Sequence, residues 1–177
     1  MNYFELYDIP ISFHPDDSLV KKKFYQLSKQ YHPDFHATES EAKQEEILQL
    51  STLNNKAYLV LSNPLKRTEY VLSIKGMMAE GDKYKLPQDF LMEMMEVNEE
   101  IMEQEFLPNA AALMIIQEKV NEFEKQLFTE LKQHTHAYDH ELEQGHESTL
   151  QKIKDIWYRQ KYLLRIRESL SKFAARI

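Results

Sequence analysis

Residues 19–34 read Leu-Val-Lys-Lys-Lys-Phe-Tyr-Gln-Leu-Ser-Lys-Gln-Tyr-His-Pro-Asp. Val20, Phe24, Leu27 and Tyr31 recur at helical spacing and predict one buried stripe. The other side carries Lys21, Lys22, Lys23 and Lys29, with no acid anywhere between residues 19 and 31. Asp16, Asp17 or Ser18 can cap the start of this helix. Pro33 drives His32 away from helical backbone angles, so the helix must stop near Tyr31. A stiff loop then projects an imidazole (His32) and a carboxylate (Asp34) beside a lysine-rich face.

Working outward, residues 2–9 are expected to form a short helix with Phe4, Leu6 and Tyr7 turned inward. A longer helix over roughly 41–61 aligns Ile47, Leu50, Asn54, Ala57 and Leu61 on one face. Asn63 then caps a further helix that begins at Pro64, where the missing N–H costs nothing, and that carries Leu65, Tyr70, Val71 and Ile74. Gly76 and Gly81 bracket a stretch ending at Pro87 without a helical stripe, which reads as a linker over 76–87. Beyond it, residues 88–106, 109–140 and 147–176 predict three long helices, with Gly145 in the last loop. The fold class is therefore all-α, with helix-forming residues dominant and only 3 Gly and 6 Pro in 177 residues.

Composition narrows the function. A formal net charge of −7 argues against a general nucleic-acid binder. Zero Cys removes disulfides, thiolate metal sites and a Cys nucleophile. The start MNYFELYDIP lacks the basic and apolar regions of a signal peptide, and no apolar run reaches the ~18 residues of a membrane span. A cytoplasmic protein of bacterial type is expected. No cofactor and no metal site is expected. His136 and His140 share a helix face near His134, but without a third ligand they read as solvated histidines. No hydroxyl nucleophile adjoins His32 and no phosphate loop is visible, so the chain is not expected to be an enzyme. His32, Pro33 and Asp34 suit docking instead: a carboxylate can accept from an Arg, and the lysines can meet an acidic partner.

The tripeptide occurs twice. His14-Pro15-Asp16 precedes the lysine helix, where its aspartates read as helix caps. The second copy comes after that helix and is succeeded by another helix bearing Asn54 and Ala57-Tyr58, then by Leu61-x-x-Pro64-x-x-Arg67-x-x-Tyr70. This combination, over residues 1–75, resembles the J-domain. The resemblance implies a four-helix domain that binds a DnaK-type chaperone and stimulates its ATPase. By position it assigns His32, Pro33 and Asp34 as the essential loop and Lys21, Lys22, Tyr25 and Lys29 as the docking face.

Tyr3-Phe4-Glu5-Leu6, Arg67-x-Glu69-Tyr70-x-Leu72 and Phe90-Leu91-Met92-Glu93 narrow the likeness to the HscB family of iron–sulfur cluster co-chaperones. That resemblance implies HscA and the scaffold protein IscU as partners, and a client-binding three-helix domain over 88–177. It places scaffold contacts at Leu91, Met95, Glu96, Glu99 and Tyr158. Independently, Phe90, Met94, Val97 and Ile101 already supply one core stripe. Leu91, Met95 and Met102, about a third of a turn away, are therefore apolar surplus available for a partner. Residues 86–107 hold seven acids and no base, whereas 150–177 hold eight bases and two acids. The first and last long helices are thus expected to attract one another. The alternatives are a general J-domain protein with another client, or a J-like helical interaction protein without chaperone coupling.

Overall fold

The computed structural model describes residues 1–78, 83–140 and 146–174. All regular structure among them is helical, and the chain divides into two units, Met1–Gly76 and Met77–Ile177. The predicted positions Gly81 and Gly145 lie outside the described residues.

The first unit begins with α1 (Tyr3–Leu6), shorter than expected because Asn2 and Glu5 close a reciprocal capping box and Tyr7 ends the turn. Phe4 and Tyr7 are buried, while Leu6 is only partly covered. Helix α2 (Asp17–Gln30) starts where the Asp16 carboxylate accepts from the N–H groups of Ser18 and Leu19. Helix α3 (Glu41–Leu61) is capped by Ser40 and α4 (Pro64–Ile74) by Asn63, with Pro64 at its first position as anticipated. Gly76 closes α4 at φ 73°, a left-handed conformation that suits glycine.

Helices α2 and α3 pack around Asn54, which is 1% exposed. Its amide donates to the Phe24 carbonyl (3.1 Å) and to Ser28 Oγ (3.0 Å), while its Oδ1 accepts from the Tyr7 hydroxyl (2.9 Å). One side chain thus satisfies groups from the α1 end and from α2. The Phe24 and Tyr58 rings stack beside it, 4.1 Å apart. Arg67, read from sequence only as part of a pattern, is buried. Its Nε donates to the Phe13 carbonyl (2.9 Å), its Nη1 to the Leu61 carbonyl, and Asp17 lies 3.6 Å away. Burial lowers its pKa from the usual arginine value, with Asp17 opposing the shift. The Tyr70 ring stacks on Tyr3 at 4.6 Å and its hydroxyl accepts from the Tyr3 N–H.

The second unit is a three-helix bundle of α5 (Gln88–Phe106), α6 (Ala110–His140) and α7 (His146–Ala174). Phe90, Met94, Val97 and Ile101 form the buried stripe of α5 as predicted. Leu113, Ile116, Val120, Leu127 and Leu131 of α6 meet Leu150, Ile153, Ile156, Leu163, Ile166 and Leu170 of α7. At the α5–α6 corner, Gln104 Oε1 accepts from the Asn109 N–H, and Asn109 caps α6. The expected attraction between acidic α5 and basic α7 takes a different route. Arg159 of α7 pairs with Glu130 of α6 at 3.0 Å, and Arg167 pairs with Glu124 of α6. Glu100 of α5 pairs with Lys119, also of α6. Long α6 flanks both neighbours and carries both signs, whereas α5 meets α7 through apolar contacts such as Phe90 against Tyr162.

Candidate partner-docking surfaces

Helix α2 ends at Gln30, and Tyr31 donates its N–H back to the Leu27 carbonyl. His32 then turns extended (φ −75°, ψ 125°), as its proline neighbour requires. Residues Pro33–His36 coil into a short 3-10 turn, an ordered element where a loop was expected. His32 is its cap: Nδ1 accepts the Asp34 N–H at 3.3 Å and lies 3.7 Å from Asp34 Oδ2. The Phe35 N–H closes the turn on the His32 carbonyl, and His36 Nε2 lies 2.9 Å from the Gln30 carbonyl. The His32 side chain remains 52% exposed and that of Asp34 86% exposed. A rigid turn thus presents both groups to a partner without burying either.

Lys21, Lys22, Tyr25 and Lys29 are all exposed on α2. Lys23 is not on that face: it is half-buried and its ammonium lies 3.7 Å from Asp8. The exposed side of α2 therefore carries Lys21, Lys22 and Lys29 with Tyr25, and Lys23 lies off it. The first tripeptide differs. Asp16 is occupied as the α2 cap, and Phe13, one residue before His14, is tied to Arg67.

On α5, Leu91 is half-buried and Met95 is 57% exposed. Leu91, Met95, Met102 and Phe106 fall within about 60° of helix arc, and Glu99 borders them. Glu96 does not join this stripe. It lies about 100° from Met95 and lines a groove against α6 with Glu93, Lys119 and Phe123. Met92, exposed and between the two flanks, was missed because it fits neither apolar stripe.

Tyr158 is not an open surface group. Tyr84, from the expected linker, stacks on it with ring centroids 4.4 Å apart, and Trp157 meets it edge-on at 4.8 Å. The Tyr84 hydroxyl donates to Asp155, and Lys154 lies over the Tyr84 ring. Partial burial, and secondarily the Asp155 carboxylate, raise the Tyr84 phenol above its ordinary pKa. Among the described residues no group of three or more His, Asp or Glu is arranged to hold a metal. His134 is half-buried beside Glu130, Asp155 and Arg159, while His136 and His140 face outward.

Residues 2–70 match the DnaJ domain, and residues 86–171 match the HSCB C-terminal oligomerisation domain. The co-chaperone protein HscB homolog of Vibrio parahaemolyticus is 36% identical over 146 residues, which cover 82% of each chain. The chain belongs to the HscB co-chaperone family. The HscB homolog of Aliivibrio salmonicida is 34% identical over 160 residues, covering 88% of this chain and 91% of that one. Among solved structures, the chaperone HscB from Vibrio cholerae superposes with a TM-score of 0.82 at 29% identity, covering 99% of both chains. Human co-chaperone HscB gives 0.80 at 27% identity, covering all of this chain and 84% of its own. The two domain matches fall where the packing falls. The first ends at Tyr70, the residue that holds α1, and the second begins two residues before α5.

Proposed function

We propose that this chain stimulates the ATPase of an HscA/DnaK-type chaperone and delivers an IscU-type iron–sulfur scaffold protein to it. In this reading residues 1–75 are the J-domain, 76–87 a linker and 88–177 the client-binding domain. The observation that carries the first half is the His32-Pro33-Asp34 turn, ordered by its own backbone bonds yet exposed beside Lys21, Lys22, Tyr25 and Lys29. Polar groups fixed by a turn lose little freedom on docking, and cationic rims speed encounter with an acidic surface. The acid-bordered apolar stripe of α5 supports the second half, because α5 already buries a complete stripe elsewhere.

The chain supplies no bond chemistry in this scheme; hydrolysis happens on the chaperone. A cytoplasmic setting fits such work, and no described helix is long and apolar enough to cross a membrane. The test is single-turnover ATP hydrolysis by an HscA-type chaperone, with wild-type chain and with His32→Gln. Wild type is expected to accelerate hydrolysis, and the variant to lose that acceleration while keeping its melting temperature and its hold on the scaffold. Retention of a different client by the second unit in a pulldown would support a general J-protein instead. No acceleration by wild type would refute the chaperone coupling.

A further inference from the structure

Phe35 is the most exposed aromatic side chain of the first unit, at 66%, although its backbone is hydrogen-bonded in place. The 3-10 turn holds it by the Phe35 N–H bond to the His32 carbonyl (3.1 Å), and the His32 ring lies 5.6 Å from its own. No part of the core uses it. A large apolar ring in water on a hydrogen-bonded backbone is what interface anchors look like before a partner covers them, since the backbone beneath it is already ordered in the free state.

We infer that Phe35 is an apolar anchor that enters a pocket on the ATP-hydrolysing chaperone beside the contacts made by His32 and Asp34. The occupant of this patch is the chaperone because the patch is continuous with the proposed docking loop. Phe35 sits one residue from Asp34 on the same turn, and Tyr25, 61% exposed, adds a second aromatic on the lysine face. The inference rests on the chaperone reading proposed above and adds a specificity element to it. Charge brings the two proteins together, and the ring then sets how long they stay, because truncating a packed anchor acts mainly on dissociation.

The deciding experiment titrates full-length chain into an HscA-type chaperone with ATP and fits both the half-saturating concentration and the maximal rate. For Phe35→Ala, the half-saturating concentration is expected to rise about fivefold to tenfold, the range of one good anchor. The maximal rate at saturation and the melting temperature are expected to stay at wild-type values, and Phe35→Leu should recover part of the affinity. A fall in maximal rate at unchanged half-saturation would overturn the anchor role, leaving Phe35 as a prop for the His32 ring. Unchanged kinetics would overturn it too, as would a loss of self-association with normal half-saturation, which would assign the ring to a second copy. If wild type itself gives no stimulation, the chaperone reading falls and this inference with it, an outcome distinct from the others.

Discussion

The rings of Tyr84 and Tyr158 lie flat on one another, with planes 6° apart and centroids 4.4 Å apart. The contact fastens the segment before α5 to α7, and the Tyr84 hydroxyl reinforces it by donating to Asp155. Aromatic pairs of this kind are worth about 0.5–1.5 kcal/mol beyond their buried area.

Tyr84→Phe keeps the stack and removes the hydroxyl, so the second unit is expected to lose about 1 kcal/mol at neutral pH. The pH dependence has a definite sign. The folded-state phenol holds its proton to higher pH than the unfolded one. Its contribution is therefore complete below about pH 10 and fades as pH rises beyond it. Denaturant titrations at pH 8 and at pH 11 should show the wild-type advantage over Tyr84→Phe shrinking; a constant gap would contradict the assignment.

Because Tyr158 is partly covered by Tyr84 and Trp157, truncating it would disturb packing as well as any scaffold contact. Leu91→Ala with Met95→Ala is a cleaner one. The pair is expected to weaken scaffold binding at least tenfold, which requires only about 1.4 kcal/mol in total. The melting temperature should fall by no more than a few degrees, since Phe90, Met94, Val97 and Ile101 keep α5 packed. Calorimetric titration and thermal melts on the same variant separate contact from core.

The duplicated tripeptide offers a reciprocal test. Asp16→Ala removes the cap of α2 and should cost about 0.5–2 kcal/mol of stability, with ATPase stimulation retained. Asp34→Ala should abolish stimulation with little change in stability, because its side chain is 86% exposed. His14→Gln should match wild type in both assays. Should Asp16→Ala silence the chaperone while fully folded, the roles of the two copies would be reversed.

Lys22→Glu and Lys29→Glu are expected to slow association with the chaperone in stopped-flow, and added salt should slow the wild type likewise. Exposed charges of this kind are screened over about 8–10 Å at physiological ionic strength. Lys23→Glu should affect folding instead of association, since Lys23 is turned toward Asp8. An association rate indifferent to salt and to both docking-face reversals would exclude electrostatic steering.

Asn54→Leu would remove two donors and an acceptor from a buried site. The Tyr7 hydroxyl can still reach the Asn54 carbonyl (3.2 Å), so the bonds lost are chiefly those to the Phe24 carbonyl and Ser28 Oγ. Each such bond is worth about 0.5–1.5 kcal/mol, and chemical denaturation is expected to show a loss of about 1–3 kcal/mol.

Helices were legible wherever one face repeats without interruption. Asn63 and Pro64 named a boundary, and the cap of α2 is Asp16, one of the three residues offered for it, because capping is local chemistry. Long-range partners were not legible. Nothing in the sequence says that Arg67 reaches a carbonyl 54 residues away, or that Tyr84 leaves a glycine-bracketed stretch to stack on α7. Periodicity also misled at Lys23, which turns toward Asp8. Helical spacing gives an angle around the axis, while the neighbour met at that angle is set by tertiary packing. Phe35 carried one weak signal, an aromatic beside the tripeptide with no stripe to join.

The reach of Arg67 fixes where this chain can be cut. A fragment ending at Leu61 would include α2, the 3-10 turn and every residue assigned to chaperone docking. It would nevertheless strip the Phe13 and Leu61 carbonyls of their guanidinium and the Tyr3 N–H of its phenol acceptor. A self-sufficient piece is expected to run through Tyr70 at least, so α4, which carries none of the assigned docking residues, would govern whether the docking loop exists in isolation.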